Sequence, residues 1–392
     1  MRALGFDWRI TASEQLLSIE DYRRAARGRL PRMVWAYIDG GADDLRTVEG
    51  NRSAFDQWWF APAVLAGHDT HDLSVQAAGR PVSMPVLLAP TGFSGLTRWS
   101  TDLDAVRAAE RAGTCCVVST ASSWSLEEIA EVATAEHAFQ LYPGSGGVAA
   151  TVMRRAWAAG FRTMFVTVDV PVVGNREGEQ RTGMGVSPVL TPRRLLGIAR
   201  HPRWAYDVLR HRRIGGRTLS AGAGVTAALE SIEIQERHLM QSRLCWDDLA
   251  WMRDNWPGRI YVKGVVRADD AVRAVELGMD GVVVSNHGGR QLDRCIPAVA
   301  ALPEVAAAVA GRAQVLLDGG IRRGTDVLVA SALGADAVMI GRPYLYGAAV
   351  SGERGIDDVL TILRTEIERA LTLLGVRDVG EVNATHLRRA QV

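Results

Sequence analysis

Gly281-Val282-Val283-Val284-Ser285-Asn286-His287-Gly288-Gly289-Arg290 is a short β-branched run that stops abruptly in a polar loop. An exposed strand would alternate polar and apolar residues, so an unbroken run reads as a strand buried on both faces. Just past its end sit an imidazole and a guanidinium with two glycines between them. Histidine moves protons near neutral pH, and arginine grips a carboxylate or phosphate with two parallel bonds.

The same unit recurs along the chain. Runs of this kind lie at Met84–Pro90, Cys115–Ser119, Ala138–Tyr142, Thr163–Asp169, Arg259–Gly264, Gly281–Ser285, Gln314–Asp318 and Ala337–Gly341. Helical spacing separates most of them, at Leu103–Ala112, Val148–Ala159, Ala268–Leu277, Thr325–Leu333 and Val359–Leu374. Regular alternation implies parallel strands with right-handed crossovers. Eight units predict an α/β fold of the (β/α)8 TIM-barrel type, with an open doubly wound sheet as the alternative.

A single domain over 1–392 is expected, with a barrel at 84–375 and a tail at 376–392. Residues 1–83, helical around Ile19–Arg27 and Leu30–Ile38, predict an N-terminal helical cap. Residues 172–243 form a long insertion after strand 4. Within it, residues 191–217 hold eight arginines, two histidines and one acid, interleaved with Leu195, Leu196, Ile198, Trp204, Tyr206, Val208 and Leu209. A basic amphipathic surface helix lying on an anionic membrane and a solvated active-site flap are both open readings.

Composition limits the partners. The chain has 392 residues, 47% hydrophobic and 23% charged, with a net charge of +1, so no global field recruits nucleic acid. Its four cysteines form no C-x-x-C pair, and no H-x-x-x-H or carboxylate cluster offers a metal site. The N-terminus is too charged for a signal peptide, and no apolar run is long enough to span a bilayer. A cytoplasmic location is expected, with peripheral attachment to the inner face of the cell membrane left open by the insertion.

Barrel enzymes place their chemistry at the C-terminal ends of the strands. Those ends carry Pro90-Thr91-Gly92, Ser119, Gln140-Leu141-Tyr142, Thr167-Val168-Asp169, Lys263, Ser285 with His287 and Arg290, Asp318-Gly319-Gly320 with Arg322, and Gly341-Arg342. The last two loops read as a phosphate site, with backbone N–H groups and two arginines. Gly144-Ser145-Gly146-Gly147-Val148-Ala149 matches the dinucleotide pattern G-x-G-x-x-A, with Asp169 as a ribose-binding acid. It follows the third strand of the series rather than the first of a Rossmann unit, which weakens a nicotinamide reading.

Together these residues resemble the FMN-dependent α-hydroxy-acid dehydrogenase/oxidase family, from about Ile19 to about Leu387. Ser285 through Asp293 is the most specific piece. Leu30 to Tyr37 with Gly40 to Asp43, Phe139 to Tyr142, Thr167 to Asp169 with Arg176, Val262 to Gly264, and Leu317 to Gly324 support it. The resemblance implies FMN as cofactor and oxidation of an L-2-hydroxy acid to a 2-oxo acid. It implies His287 as base with Asp169 stabilising its protonated form. Arg176 and Arg290 become a substrate-carboxylate clamp, and Tyr37 and Tyr142 substrate hydrogen-bond partners. Lys263 becomes the cation beside the flavin N1/C2 carbonyl. Pro90, Thr91, Gly92, Ser119, Gln140, Thr167 and Ser285 fall to the flavin, and Asp318, Gly320, Arg322, Gly341 and Arg342 to its ribityl-phosphate arm. Removal of the hydroxyl proton and of the α-proton are both open to His287.

Gly92, Ser18 to Arg24 and His201 to Asp207 resemble the mandelate and lactate dehydrogenases within the family more than glycolate oxidases. That implies a bulkier substrate, quinone or oxygen as electron acceptor, and a homo-oligomer, a tetramer in the family. Pro143-Gly144-Ser145-Gly146 after Tyr142 favours a roomier distal pocket. Two rival readings remain: a non-redox isomerase or aldolase acting on a phosphorylated substrate, with Lys263 as Schiff-base candidate, and a catalytically idle binding barrel.

Overall fold

The computed structural model describes residues 15–390 apart from 69, 144–146, 185–190 and 219–243, together with the backbone of 2–3 and 6–7. Eight parallel strands form its centre: β1 Val86–Leu88, β2 Val117–Ser119, β3 Ala138–Leu141, β4 Thr163–Thr167, β5 Arg259–Val265, β6 Gly281–Val284, β7 Gln314–Asp318 and β8 Ala337–Ile340. Each pairs with its sequence neighbour, and β8 returns to β1. A parallel bridge between Leu88 and Cys116, with Leu88 N donating to Cys115 O at 2.9 Å, closes the ring. All eight expected strands are present, so the fold is the closed barrel and not the open sheet.

The pleat explains the unbroken apolar runs. Leu87, Val117, Phe165, Tyr261, Val283, Leu316 and Met339 pack together inside the barrel. Their neighbours Val86, Val118, Met164, Val262, Val282, Leu317 and Val338 face outward into the layer of surrounding helices. Both sets are buried, each side chain contributing roughly 1.5–3 kcal/mol. The parity also sets the site. Two residues beyond the inner apolar layer, the inward positions are Ser119, Gln140, Thr167, Lys263, Ser285 and Asp318.

The segment before the barrel reaches both of its ends. A hairpin of Val75–Ala77 and Arg80–Val82 plugs the N-terminal end, with Ala77 and Val82 joining the inner core. The helix Ile19–Arg29, capped by Ser18 Oγ accepting from Asp21 N at 3.1 Å, packs on the helix Arg342–Ser351. The next helix, Arg32–Asp39, carries Tyr37 to the C-terminal face. Leu387–Arg389 in the tail pairs antiparallel with Trp58–Phe60.

Residues 191–217 were expected to hold one amphipathic helix. The structure has two, Pro192–Ala199 and Pro202–His211. Each starts on a proline, which supplies no N–H to a preceding turn and forces the residue before it out of the helical region. Thus His201 sits at φ −119° and ψ 64°. The pair is anchored by Trp204 Nε1 donating to Leu96 O at 2.7 Å, and by Arg213, which grips Glu128 with two 3.0 Å bonds and lies over the Trp124 ring. Leu195, Leu196, Tyr206 and Leu209 are left exposed. No described helix is long and apolar enough to cross a membrane.

Candidate active site

The loop after β6 is held in an unusual path. His287, Gly288 and Gly289 have φ of 57°, 62° and 74°, three successive left-handed residues. For a histidine this costs on the order of 1 kcal/mol, so neighbours must enforce it. Asn286 Oδ1 accepts from Gly289 N at 3.2 Å. Asn286 and Asn51 exchange two amide bonds of 2.8 Å in a buried pair, which fastens the loop to the helix Arg46–Ser53. Asn51 was not singled out from sequence, since its partner lies 235 positions away. Only an Asn in an otherwise weakly patterned segment marked it.

That path brings His287 Nδ1 to 3.0 Å from Asp169 Oδ1. Burial works to raise the Asp169 carboxyl, but the His287 imidazole and then the Lys263 ammonium outweigh it and hold it below 3.8. A carboxylate only accepts, so Nδ1 carries the ring proton of the neutral imidazole and Nε2 keeps the lone pair. Nε2 lies 3.4 Å from the Tyr142 hydroxyl. Burial raises the Tyr142 phenol well above its usual value, with Asp169 adding to it, so it stays protonated. Asp169 is thus the histidine's partner, and the ribose-acid reading fails. Gly144–Gly146 of the dinucleotide pattern lie outside the described residues.

Arg290 leaves the same loop. Its Nη1 donates to Tyr37 O at 2.6 Å, its Nη2 to Glu179 Oε1 at 2.8 Å, and its guanidinium lies 4.8 Å from the Tyr37 ring centroid. Arg176 approaches from the insertion, with Nη2 donating to Gln291 Oε1 at 3.1 Å and Nε to Arg290 O at 3.3 Å. Tyr37 O–H donates to Gly92 O at 3.0 Å. Glu179 and Gln291 were missed as site residues. The spacing of Arg176 and Glu179 at the start of the helix Glu177–Thr182 was the available signal.

Lys263 is buried between Asp318 Oδ2 at 2.5 Å and Ser285 Oγ at 3.1 Å. Burial alone would lower its pKa, but Asp318 and then Asp169 raise it overall. It therefore stays protonated, which removes it as a Schiff-base nucleophile. Along the same wall, Ser119 Oγ donates to Gln140 Oε1 at 3.0 Å and Gln140 Nε2 to Thr167 Oγ1 at 2.9 Å. Thr91 Oγ1 bonds the Tyr344 hydroxyl. Pro90 and Gly92 flank it on the β1 loop.

The residues present fit an FMN. Asp318 Oδ1 and Arg322 Nε are buried polar atoms without partners, the acceptor and donor that a ribityl hydroxyl and a phosphate call for. Gly319 and Gly320, at φ 95° and 88°, turn the chain beside them, and a Cβ on Gly320 would strike Asn51 O. Arg342 departs from expectation. Its guanidinium is committed to three carbonyls, Ile38 at 3.2 Å, Gly288 at 3.0 Å and Gly40 at 2.6 Å, and burial pushes its pKa down to about 10. It ties the cap helix to the β6 loop. Gly341 and the backbone N–H of Arg342, at the start of the helix Arg342–Ser351, remain for an anion. Among the described residues, no three His, Cys, Asp or Glu side chains form a metal cluster.

Residues 26–389 match the family described as FMN-dependent dehydrogenase. The chain is 38% identical over 383 residues to an (S)-mandelate dehydrogenase of Pseudomonas putida, covering 97% of this chain and 96% of that protein. It is 37% identical to an L-lactate oxidase of a Nostoc species, covering 96% of this chain and all of that protein. Among solved structures, a crystal structure of the monotopic membrane protein (S)-mandelate dehydrogenase superposes with a TM-score of 0.91 at 37% identity, over 96% of this chain and all of that one.

Proposed function

This chain belongs to the FMN-dependent dehydrogenase family, and on that premise we propose how its residues carry the reaction. The activity is FMN-dependent oxidation of a 2-hydroxy acid to the 2-oxo acid. The FMN supplies the electron sink. The comparisons give no support to a non-redox isomerase or aldolase.

The observation that carries the assignment of roles is the His287–Asp169 pair beside Tyr142 and two half-buried arginines. His287 Nε2 accepts the proton that leaves the substrate. Asp169 stabilises the imidazolium that results. Arg176 and Arg290 bind the substrate carboxylate and fix its orientation, which turns binding energy into alignment. Tyr37 and Tyr142 donate hydrogen bonds to the substrate. Lys263 presents a fixed positive charge where negative charge gathers on the cofactor. Pro90, Thr91, Gly92, Ser119, Gln140, Thr167 and Ser285 line the ring site, and Asp318, Gly320, Arg322, Gly341 and Arg342 the phosphate arm. His287→Gln should retain FMN and lose reduction of the flavin by substrate. Reduction at the wild-type rate in that variant would remove His287 as the base.

Gly92 leaves room near the Tyr37 hydroxyl, which supports an aromatic or extended 2-hydroxy acid of the S configuration as substrate. The electrons pass on to a quinone or to oxygen. The exposed Leu195, Leu196, Tyr206 and Leu209, set among arginines, support peripheral contact with an anionic membrane through 191–217. Sedimentation with anionic but not neutral vesicles tests this, and no sedimentation with either would refute it. The enzyme assembles as a homo-oligomer, with a tetramer expected from light scattering.

A further inference from the structure

Glu179 is a buried carboxylate at the candidate site that none of the roles above uses. It sits in the insertion's short helix Glu177–Thr182 and reaches Arg290 Nη2 at 2.8 Å, with side-chain exposures of only 9% and 15% for the pair. Among the described residues, no other acidic side chain bonds either arginine of the clamp. Of the other charges near the site, His287 is matched with Asp169 and Lys263 with Asp318, while Arg342 is held by backbone carbonyls.

We propose that Glu179 sets the charge and the aim of the carboxylate clamp, so that Arg176, Arg290 and Glu179 together present one net positive charge to one substrate carboxylate. This deepens the reading of Arg176 and Arg290 as the clamp and rests on it.

Two consequences follow from electrostatics. A clamp of two uncompensated arginines, both partly shielded from solvent, would hold any monocarboxylate tightly, the 2-oxo acid product included. Glu179 offsets one of those charges, so product leaves. Glu179 also fixes geometry. Arg290 Nη1 is already taken by Tyr37 O and Gly40 O, and the Glu179 bond on Nη2 locks the remaining rotation of the planar group. Arg290 Nε and Arg176 Nη1 stay without partners among the described residues. Burial and then Arg290 depress the Arg176 pKa, and Glu179 counters them. Glu179 is therefore a positioning residue, acting through Arg290.

Charge and aim separate in two variants. Glu179→Gln keeps an acceptor for Arg290 and removes the charge. Glu179→Asp keeps the charge and shortens the reach. In the FMN-loaded enzyme, product binding is read from the perturbation of the flavin visible spectrum by benzoylformate, without turnover. Glu179→Gln should bind benzoylformate about tenfold more tightly, with KM for (S)-mandelate falling and kcat falling as release slows. Glu179→Asp should bind both more weakly and release product no more slowly than the wild type. Unchanged or weaker benzoylformate binding in Glu179→Gln would overturn the proposal. So would tighter binding in Glu179→Asp, which decides the matter if the Gln variant does not hold FMN. Wild-type flavin that (S)-mandelate fails to reduce would instead count against the reading of the clamp's substrate.

Discussion

Replacing Asp169 by Asn tests the proton-transfer account at one atom pair. The Asp169 carboxylate lies 3.0 Å from His287 Nδ1, and both side chains are largely buried. At an effective dielectric of about 20 and a charge separation of about 4 Å, the attraction for an imidazolium is about 4 kcal/mol. Residual solvent screening reduces this to about 2–3 kcal/mol, a loss of roughly 30- to 150-fold in the step that forms the imidazolium. Asn keeps an oxygen for Nδ1–H, so the ring stays in place and the loss is chiefly of charge. Anaerobic stopped-flow absorbance should show flavin reduction slowed by about that factor, with substrate affinity changed only a few-fold. Stability supplies an independent check. The folded-state pKa of Asp169 is depressed below 3.8, so its stabilisation is present above that pH and lost as pH falls through the depressed value. The gap in Tm between wild type and Asp169→Asn should therefore be full at pH 7 and close below about pH 4. A loss confined to substrate affinity, with the reduction rate intact, would refute the reasoning.

Other substitutions probe other parts of the site. A Cβ at position 92 would lie 3.0 Å from Ala121 Cβ and 3.6 Å from the Tyr37 hydroxyl. Gly92→Ala should therefore lower kcat/KM several-fold for an aromatic substrate and less for lactate, as steady-state kinetics would show. Asn51→Ala breaks both 2.8 Å amide bonds and leaves Asn286 short of partners. Chemical denaturation should report a loss of about 2–4 kcal/mol, with slower flavin reduction. Lys263→Met strands the Asp318 carboxylate in a buried site. It should cost about 3–5 kcal/mol of stability and weaken FMN retention, measured by flavin released on ultrafiltration.

The barrel was legible because burial on both strand faces writes itself as unbroken apolar runs, and all eight coincide with strands. The inward polar residues that end those runs were legible for the same reason, since parity fixes which side chain meets the cavity. The helix break at His201 was signalled by Pro202, but the arginine-rich composition masked it as one amphipathic stretch. Glu179 and Asn51 left only faint signals, because each matters through a partner more than a hundred residues away. Arg342 shows the converse. Its position in a Gly-Arg pair suggests an anion ligand, while its side chain is bound to carbonyls from two other segments.

Mixing the purified, FMN-loaded protein anaerobically with the two enantiomers of mandelate and of lactate tests the central claim most directly. The account predicts that the S enantiomers bleach the flavin absorbance, with one equivalent of 2-oxo acid formed per flavin, and that the R enantiomers leave it unchanged. A flavin that none of these 2-hydroxy acids reduces would contradict it.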